Sequence, residues 1–154
     1  MLRTTILTLV LALPTAVMAE DSDAKKLAQE ILTKGAALFD TQDAMAMSAT
    51  YTDDARLFWV EKDKSTGKIK VDVKEGRSEI DKLYRDLFKD TKEKTTSRNT
   101  VEFAKLVSPD VLVIHGYFQP NINNDGKYSF VQERVKQGDK WLIQCLRLYI
   151  LPKD

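Results

Sequence analysis

The chain has 154 residues, with 24 Lys and Arg against 23 Asp and Glu, one His and one Cys. That near-neutral balance lacks the basic excess with which proteins neutralise nucleic-acid phosphates, so no nucleic-acid partner is expected. A single Cys leaves no intramolecular disulfide, and one His with one Cys are too few for a zinc site on the usual ligands, so neither a metal nor a cofactor is expected.

The first residues have the layout of a signal peptide: Arg3 supplies positive charge, Ile6 to Leu13 form a short apolar core, and Pro14 to Ala19 lead to a small-residue cleavage site. The expected boundaries are a leader over residues 1–19 and one domain over residues 20–154, secreted or periplasmic. The competing reading is an ordinary buried N-terminal helix. The apolar core falls short of the roughly 20 residues a spanning helix needs, and no second such stretch follows, so no stable membrane insertion is expected after cleavage. Loss of Arg3 leaves equal numbers of acidic and basic side chains on a domain long enough to bury its own core.

Leu27, Ile31, Gly35, Leu38 and Phe39 recur at helical spacing after the capping candidates Ser22 and Asp23, which predicts a first amphipathic helix. A second, short helix is expected from Asp43, carrying Met45, Met47 and Tyr51, with the methionines as core fillers and the Asp53-Asp54 pair ending it. Ala55 to Glu61 reads as a strand. Ile69, Val71 and Val73 alternate with lysines after the Ser65-Thr66-Gly67 turn, giving a hairpin with a charged edge. Gly76 ends that hairpin, Ser78 is the expected cap of a third helix, and Ile80, Leu83, Tyr84, Leu87 and Phe88 form its apolar face.

Asp90 to Asn99 is a polar connection, and the rest is strand: Thr100–Val107, Val111–Gln119, Lys127–Lys136 and Trp141–Leu151, separated by short turns and therefore paired antiparallel. The two-residue Gly138-Asp139 turn sets a register for the last pair. It opposes Gln137 to Lys140 and, further along, Arg134 to Ile143, Gln132 to Cys145, Phe130 to Arg147 and Tyr128 to Tyr149, these last four pairs all on one face.

This order of elements resembles the nuclear transport factor 2-like superfamily, and its SnoaL-like members in particular. The resemblance is carried by Asp43 opening the second helix, by Tyr51-Thr52-Asp53-Asp54-Ala55, by Gly76-Arg77-Ser78 and by Gly138-Asp139-Lys140-Trp141, and it covers roughly Leu27 to Tyr149. It implies an α+β fold, a cone-shaped curved and mostly antiparallel sheet packed on three helices, cystatin-like in architecture and open at one end to an apolar cavity. Similar proteins include isomerases, dehydratases, hydrolases, polyketide cyclases, ligand carriers and dimerisation modules without catalysis, so function has to be argued from the site. In ketosteroid isomerase, a member of this superfamily, an aspartate moves the proton while a tyrosine and a second aspartic acid hold the enolate oxygen. The corresponding positions fall on Trp59, near Lys34 and near Gln132, none of which carries that chemistry. Many SnoaL-like proteins place histidines on the inward face of the last strand, where this chain has Cys145 and Arg147.

Under the hairpin register, the inward face carries Gln132, Arg134, Cys145 and Arg147, and the neighbouring strand adds His115 and Tyr117. With Trp59, these seven are the candidate ligand-binding residues. A buried Arg147 needs an internal carboxylate, Glu102 or Asp54, or an anionic ligand, and both readings stand. His115 is suited to proton transfer near neutrality, or is simply structural. Cys145 reads as a small buried hydrophobe rather than a nucleophile, because Gln132 and no base opposes it. Tyr51 and Asp54 read as fixing the helix-to-strand corner. The opposite face, with Leu142, Leu146, Leu148, Ile150, Val131 and Val135 joined by Leu112, Ile114 and Phe118, predicts a homodimer through the sheets. The favoured function is an exported domain that binds a small apolar or amphipathic molecule. The alternatives are an isomerase, dehydratase or hydrolase with His115 as base and Arg147 as anion stabiliser, and a protein-binding domain with a filled cone.

Overall fold

A computed structural model of the chain describes residues 16–91 and 96–151. Arg3 and the apolar core of the expected leader lie outside the described residues. Among those described, no helix is long and apolar enough to cross a membrane.

Helix α1 (Ala16–Asp40) starts upstream of the expected cleavage site and runs unbroken through it. Its buried stripe is Ala24, Ala28, Leu32 and Ala36, one residue per turn, whereas the larger Leu27, Ile31, Leu38 and Phe39 are only partly buried. The small alanine face lets the helix seat closely on the sheet, and the bulky face is left to look elsewhere. Polar clamps fix that seat. Gln29 accepts from the Val101 backbone N–H at 3.1 Å and donates to the Asn99 carbonyl at 3.1 Å, Asn99 donates to the Leu32 carbonyl at 3.1 Å, and the Asp40 carboxylate receives the Ser97 N–H at 3.0 Å.

Helix α2 (Ala44–Ser48) is capped as expected, the Asp43 carboxylate accepting from the Ala46 N–H at 2.9 Å. Met47 is buried, but Met45 is 67% exposed and so is no core filler; one turn of helix has room for only one inward methionine. Strand β1 (Tyr51–Lys62) begins earlier than expected, with Tyr51 as its first and fully buried residue, and β2 (Ile69–Glu75) returns antiparallel to it.

Helix α3 (Gly76–Lys89) starts two residues before the expected cap Ser78. Gly76 takes a φ of +80°, a turn glycine tolerates without strain, and the Glu79 carboxylate reaches back to the Glu75 N–H at 2.9 Å in place of a serine cap. Ile80, Tyr84 and Phe88 are its buried face. Arg77 ties the helix start to β1, pairing with Asp53 at 2.7 Å and donating to the Tyr51 carbonyl at 3.1 and 2.6 Å.

Four long strands follow: β3 (Arg98–Ser108), β4 (Val111–Gln119), β5 (Tyr128–Gln137) and β6 (Lys140–Ile150). The six-stranded sheet has the order β2-β1-β6-β5-β4-β3, antiparallel throughout except where β1 meets β6 in parallel. Helix α1 lies on β3, while α3, braced by α2, lies across β1 and β2. Both helices therefore cover one face of the curved sheet from opposite ends.

Of the chain's glycines Gly116 has the least room: an added Cβ would run into the Thr100 carbonyl of β3 and come within 3.3 Å of the Phe130 ring. Backbone cannot retreat there without breaking the ladder. Gly116→Ala should lower unfolding free energy by about 1–3 kcal/mol in denaturant titrations, whereas Gly35→Ala, with open space around it, should leave stability unchanged or raised.

Candidate functional site

The site begins at an irregularity. Strand β5 pairs with β6 as the two-residue turn dictates from Gln137↔Lys140 to Arg134↔Ile143, but the next pair is Glu133↔Cys145, so Gln144 is an extra residue on β6. On its other side, β6 meets β1 at a matching break between Tyr51 and Arg56. Gln144 is held in that gap by side chains. It accepts from the Thr52 hydroxyl at 3.1 Å and donates to the Asp54 carboxylate at 3.3 Å, while the Ile143 N–H reaches the Thr50 carbonyl at 2.9 Å. Hydrogen bonds from Thr52 and then Gln144 hold the Asp54 carboxyl below its ordinary pKa. The corner role read for Asp54 is thus a matter of direct contact with the bulge.

Beyond the bulge every side chain of β6 changes face. Leu146, Leu148 and Ile150 turn inward, and Cys145 and Arg147 turn out. The pairs become Gln132↔Leu146 and Phe130↔Leu148, so the expected pairs Gln132 with Cys145, Phe130 with Arg147 and Tyr128 with Tyr149 do not form. Strand β4 also presents the face opposite to that expected: Leu112 and Ile114 are fully buried and Phe118 packs edge-on against Phe39, which leaves His115 and Tyr117 outside.

Between the inward face and the helices lies a cavity of about 940 Å³. Its wall is mostly apolar, with Leu27, Ile31, Leu38 and Phe39 of α1, Leu83 and Leu87 of α3, and Leu57, Trp59, Phe118, Phe130, Ile143, Leu146 and Leu148 of the sheet. The bulky α1 residues that do not seat on β3 are thereby accounted for. Exposed Glu30, Lys34, Asp139 and Lys140 stand at the rim.

Polar groups converge at one end. Gln132 and Arg134, 7% and 5% exposed, reach in from β5, and Tyr51 and Tyr84 share a hydrogen bond of 2.8 Å between their hydroxyls. Arg134 donates through Nε to the Gln132 side-chain oxygen at 2.9 Å and through Nη1 to the Trp141 carbonyl at 3.0 Å. No carboxylate among the described residues pairs with it, and no hydrogen bond engages its Nη2 there. Burial lowers the Arg134 pKa to about 10, still charged at neutral pH, and the neighbouring tyrosines partly offset that fall. Burial raises both tyrosines above their ordinary 10.0, Tyr51 well above.

Of the seven expected site residues, Trp59, Gln132 and Arg134 border the cavity, and the indole N–H of Trp59 donates to Glu61. The other four are on the far side of the sheet. Arg147 is exposed there and lies over the Phe58 ring at 4.1 Å, so it meets neither Glu102 nor Asp54 as expected. Cys145 is half-buried and its thiol pKa is raised, chiefly by burial, which favours the unreactive thiol. His115 stands half-exposed with Nδ1 at 3.4 Å from Glu102 and Nε2 at 3.3 Å from the Ser129 hydroxyl, and its ring is 6.2 Å from that of Tyr117. The sequence Glu102, His115, Ser129 has the order of a charge relay, but it lies on an open sheet face, and paired strands on both sides of β5 occupy the backbone donors that an oxyanion hole would need. Nor can His115 act as base on anything in the cavity, since the sheet lies between.

Tyr51 and Tyr84 are the polar site residues that sequence reasoning missed, as it missed Phe118, Leu146 and Leu148 by assigning them to the outer face. Their signal was faint: Tyr84 read as core and Tyr51 as a corner, and only the fold brings the two hydroxyls together.

No protein-family model and no curated protein sequence matches the chain. Solved structures do. A nuclear transport factor 2-like protein of unknown function from Pseudomonas putida is similar at a TM-score of 0.62 and 12% identity, covering 88% of this chain and 91% of that one. A second, from Shewanella oneidensis, gives 0.59 at 15% identity over 84% of this chain and 98% of that one. A domain of unknown function with a cystatin-like fold from Nostoc punctiforme gives 0.57 at 13% identity over 85% and 76%. The chain therefore has the nuclear transport factor 2-like, cystatin-like fold, a mixed α+β architecture with helices on a curved sheet.

The buried tyrosine pair leaves a pH signature. With both folded pKa values above the unfolded 10.0, the folded state keeps protons that the unfolded chain releases. Their contribution to stability is complete below pH 10 and is lost as pH rises through the folded values. Tyr51→Phe should cost about 1 kcal/mol at neutral pH and make the decline above about pH 10 shallower in denaturant titrations; an unchanged slope would contradict the assignment.

Proposed function

We propose that the domain is a binding module for a small apolar or amphipathic molecule, held in the cavity between sheet and helices. One observation carries this reading: the cavity of about 940 Å³ is walled by aliphatic and aromatic side chains, with a few polar groups gathered at one end. Ligand sites are concave and mainly apolar in this way, at volumes of roughly 300–1,000 Å³. A catalytic reading lacks a base, since among the described residues the carboxylates bordering the cavity are Glu30 and Asp139 at its exposed rim.

Both tryptophans of the chain, Trp59 and Trp141, border the cavity, so their fluorescence reports its occupant. An environment-sensitive apolar dye should bind saturably with one site per chain and quench that fluorescence. Leu148→Trp, which fills part of the void, should weaken the dye about tenfold while leaving the thermal midpoint close to the parent. A dye that binds without saturation, or equally well to the variant, would sink the proposal.

The outer face calls for a different partner, and we propose a second copy of this chain. The expected argument for a homodimer does not hold as first made, because Leu112, Ile114, Phe118, Leu146, Leu148 and Ile150 are turned inward and Leu142 borders the cavity. What supports the proposal instead is that the outer face exposes Phe103 on one edge strand and Val71 and Ile69 on the other, 48%, 51% and 57% exposed, with side chains of both signs, Glu102, Glu133, Arg147 and Arg56, on β3, β5, β6 and β1. A two-fold axis lets such a face set each sign against its opposite while covering the apolar residues. Sedimentation should find a dimer that Phe103→Glu converts to monomer; a parent chain that sediments as monomer at micromolar concentration removes it.

A further inference from the structure

We infer that the ligand of this cavity carries a carboxylate, and that Arg134 receives it. The inference rests on the cavity reading above and adds the chemistry of the headgroup.

Arg134 is a cation, 5% exposed, in a wall that is mostly apolar and otherwise uncharged inside its rim. Its two protein hydrogen bonds go to a neutral amide oxygen and a neutral carbonyl, neither of which cancels the charge. Charge in such a place costs several kcal/mol unless a counter-charge accompanies it, so an arginine with only neutral partners is a poor structural choice. It is a good choice for meeting an anion that comes and goes. Among the described residues nothing engages its Nη2, and the Tyr51–Tyr84 hydroxyl pair lines the same end of the void, offering a further O–H donor.

The anion is a monoanion. Among the described residues bordering the cavity Arg134 is the buried cation, Lys34 and Lys140 being exposed at its rim, so it balances a single charge, and its planar fork matches the two oxygens of a carboxylate. A phosphate dianion would leave a charge uncompensated against an apolar wall. The remainder of the ligand is apolar. From Arg134 the void follows β5 to Tyr128, roughly 20 Å of strand, and along that path it meets Trp59, Phe118, Phe130 and Leu148. The buried charge is thus at one end, and mostly aliphatic or aromatic contacts lie along the rest of the void, the polarity of an amphipathic acid.

The test compares three molecules with the same tail on the full chain: lauric acid, lauryl alcohol and methyl laurate, each below its aggregation limit, by calorimetry and by fluorescence of Trp59 and Trp141. The acid should bind at least tenfold more tightly than the ester or the alcohol, with the preference vanishing as the ligand carboxyl is protonated in acid. Arg134→Met should erase the preference, leave ester binding intact, and hold or raise the thermal midpoint, because it removes an unneutralised buried charge. Acid and ester binding the parent with equal affinity would overturn the carboxylate inference while leaving the cavity reading in place. If none of the three binds, both fail. Should Arg134→Met not fold, the comparison on the parent chain still decides.

Discussion

One added residue organises this molecule. Gln144 interrupts the β5–β6 ladder, and side chains of Thr52 and Asp54 hold it in the matching gap of β1. Because side chains alternate with a period of two, a single extra residue moves everything after it to the other face. Before the bulge, Ile143 faces the helices. After it, Leu146, Leu148 and Ile150 do, and Cys145 and Arg147 are put outside. Had the ladder continued unbroken, Cys145 and Arg147 would have replaced two leucines in the cavity wall, and a second cation would have stood inside it.

The bulge also determines which charge is inside. Arg134 is the last β5 residue before the register shift and stays inward beside Gln132, whereas Arg147, equally basic, rests on Phe58 on the outer face. Water lowers the cost of the second charge and not of the first. Two arginines of one hairpin are thereby given opposite energetic roles: one is a solvated cation with an aromatic neighbour, the other a desolvated cation with neutral partners. A ligand that neutralises the desolvated one gains from an expense the fold has already met.

The cavity itself follows from a division of labour on α1. Alanines at one residue per turn seat the helix on β3, with Gln29, Asn99 and Asp40 fixing its position by hydrogen bonds to and from that strand and the residue before it. The larger face of the same helix is then held away from β1 and β6, α3 stands across β1 and β2, and space remains between the two helices and the sheet. The fold could have collapsed this space with larger side chains. Leu27, Ile31 and Leu38 only border it.

Much of the architecture was legible in the chain. The six strands and three helices of the described residues follow from turn residues and apolar periodicity, which are local properties, and the Gly138-Asp139 turn fixed the first pairs of the last hairpin because a two-residue loop permits one register. The inward phase of β4 was not legible: Val111 to Gln119 is apolar on both phases, and the connection from Asn121 to Gly126 is too long to set a register. The bulge left a trace, since the apolar residues of β6 change phase between Ile143 and Leu146, but alternation alone cannot say whether such a break is a bulge or a polar residue on the core face. The Tyr51–Tyr84 contact had no local signal, because it joins the start of one strand to the middle of a helix 33 residues away. The sequence by itself determined the elements and their order, since propensity and turn chemistry act within a few residues. Which residues face the cavity was decided only by the tertiary structure, because facing depends on pairing between distant strands, where one inserted residue outweighs every local preference.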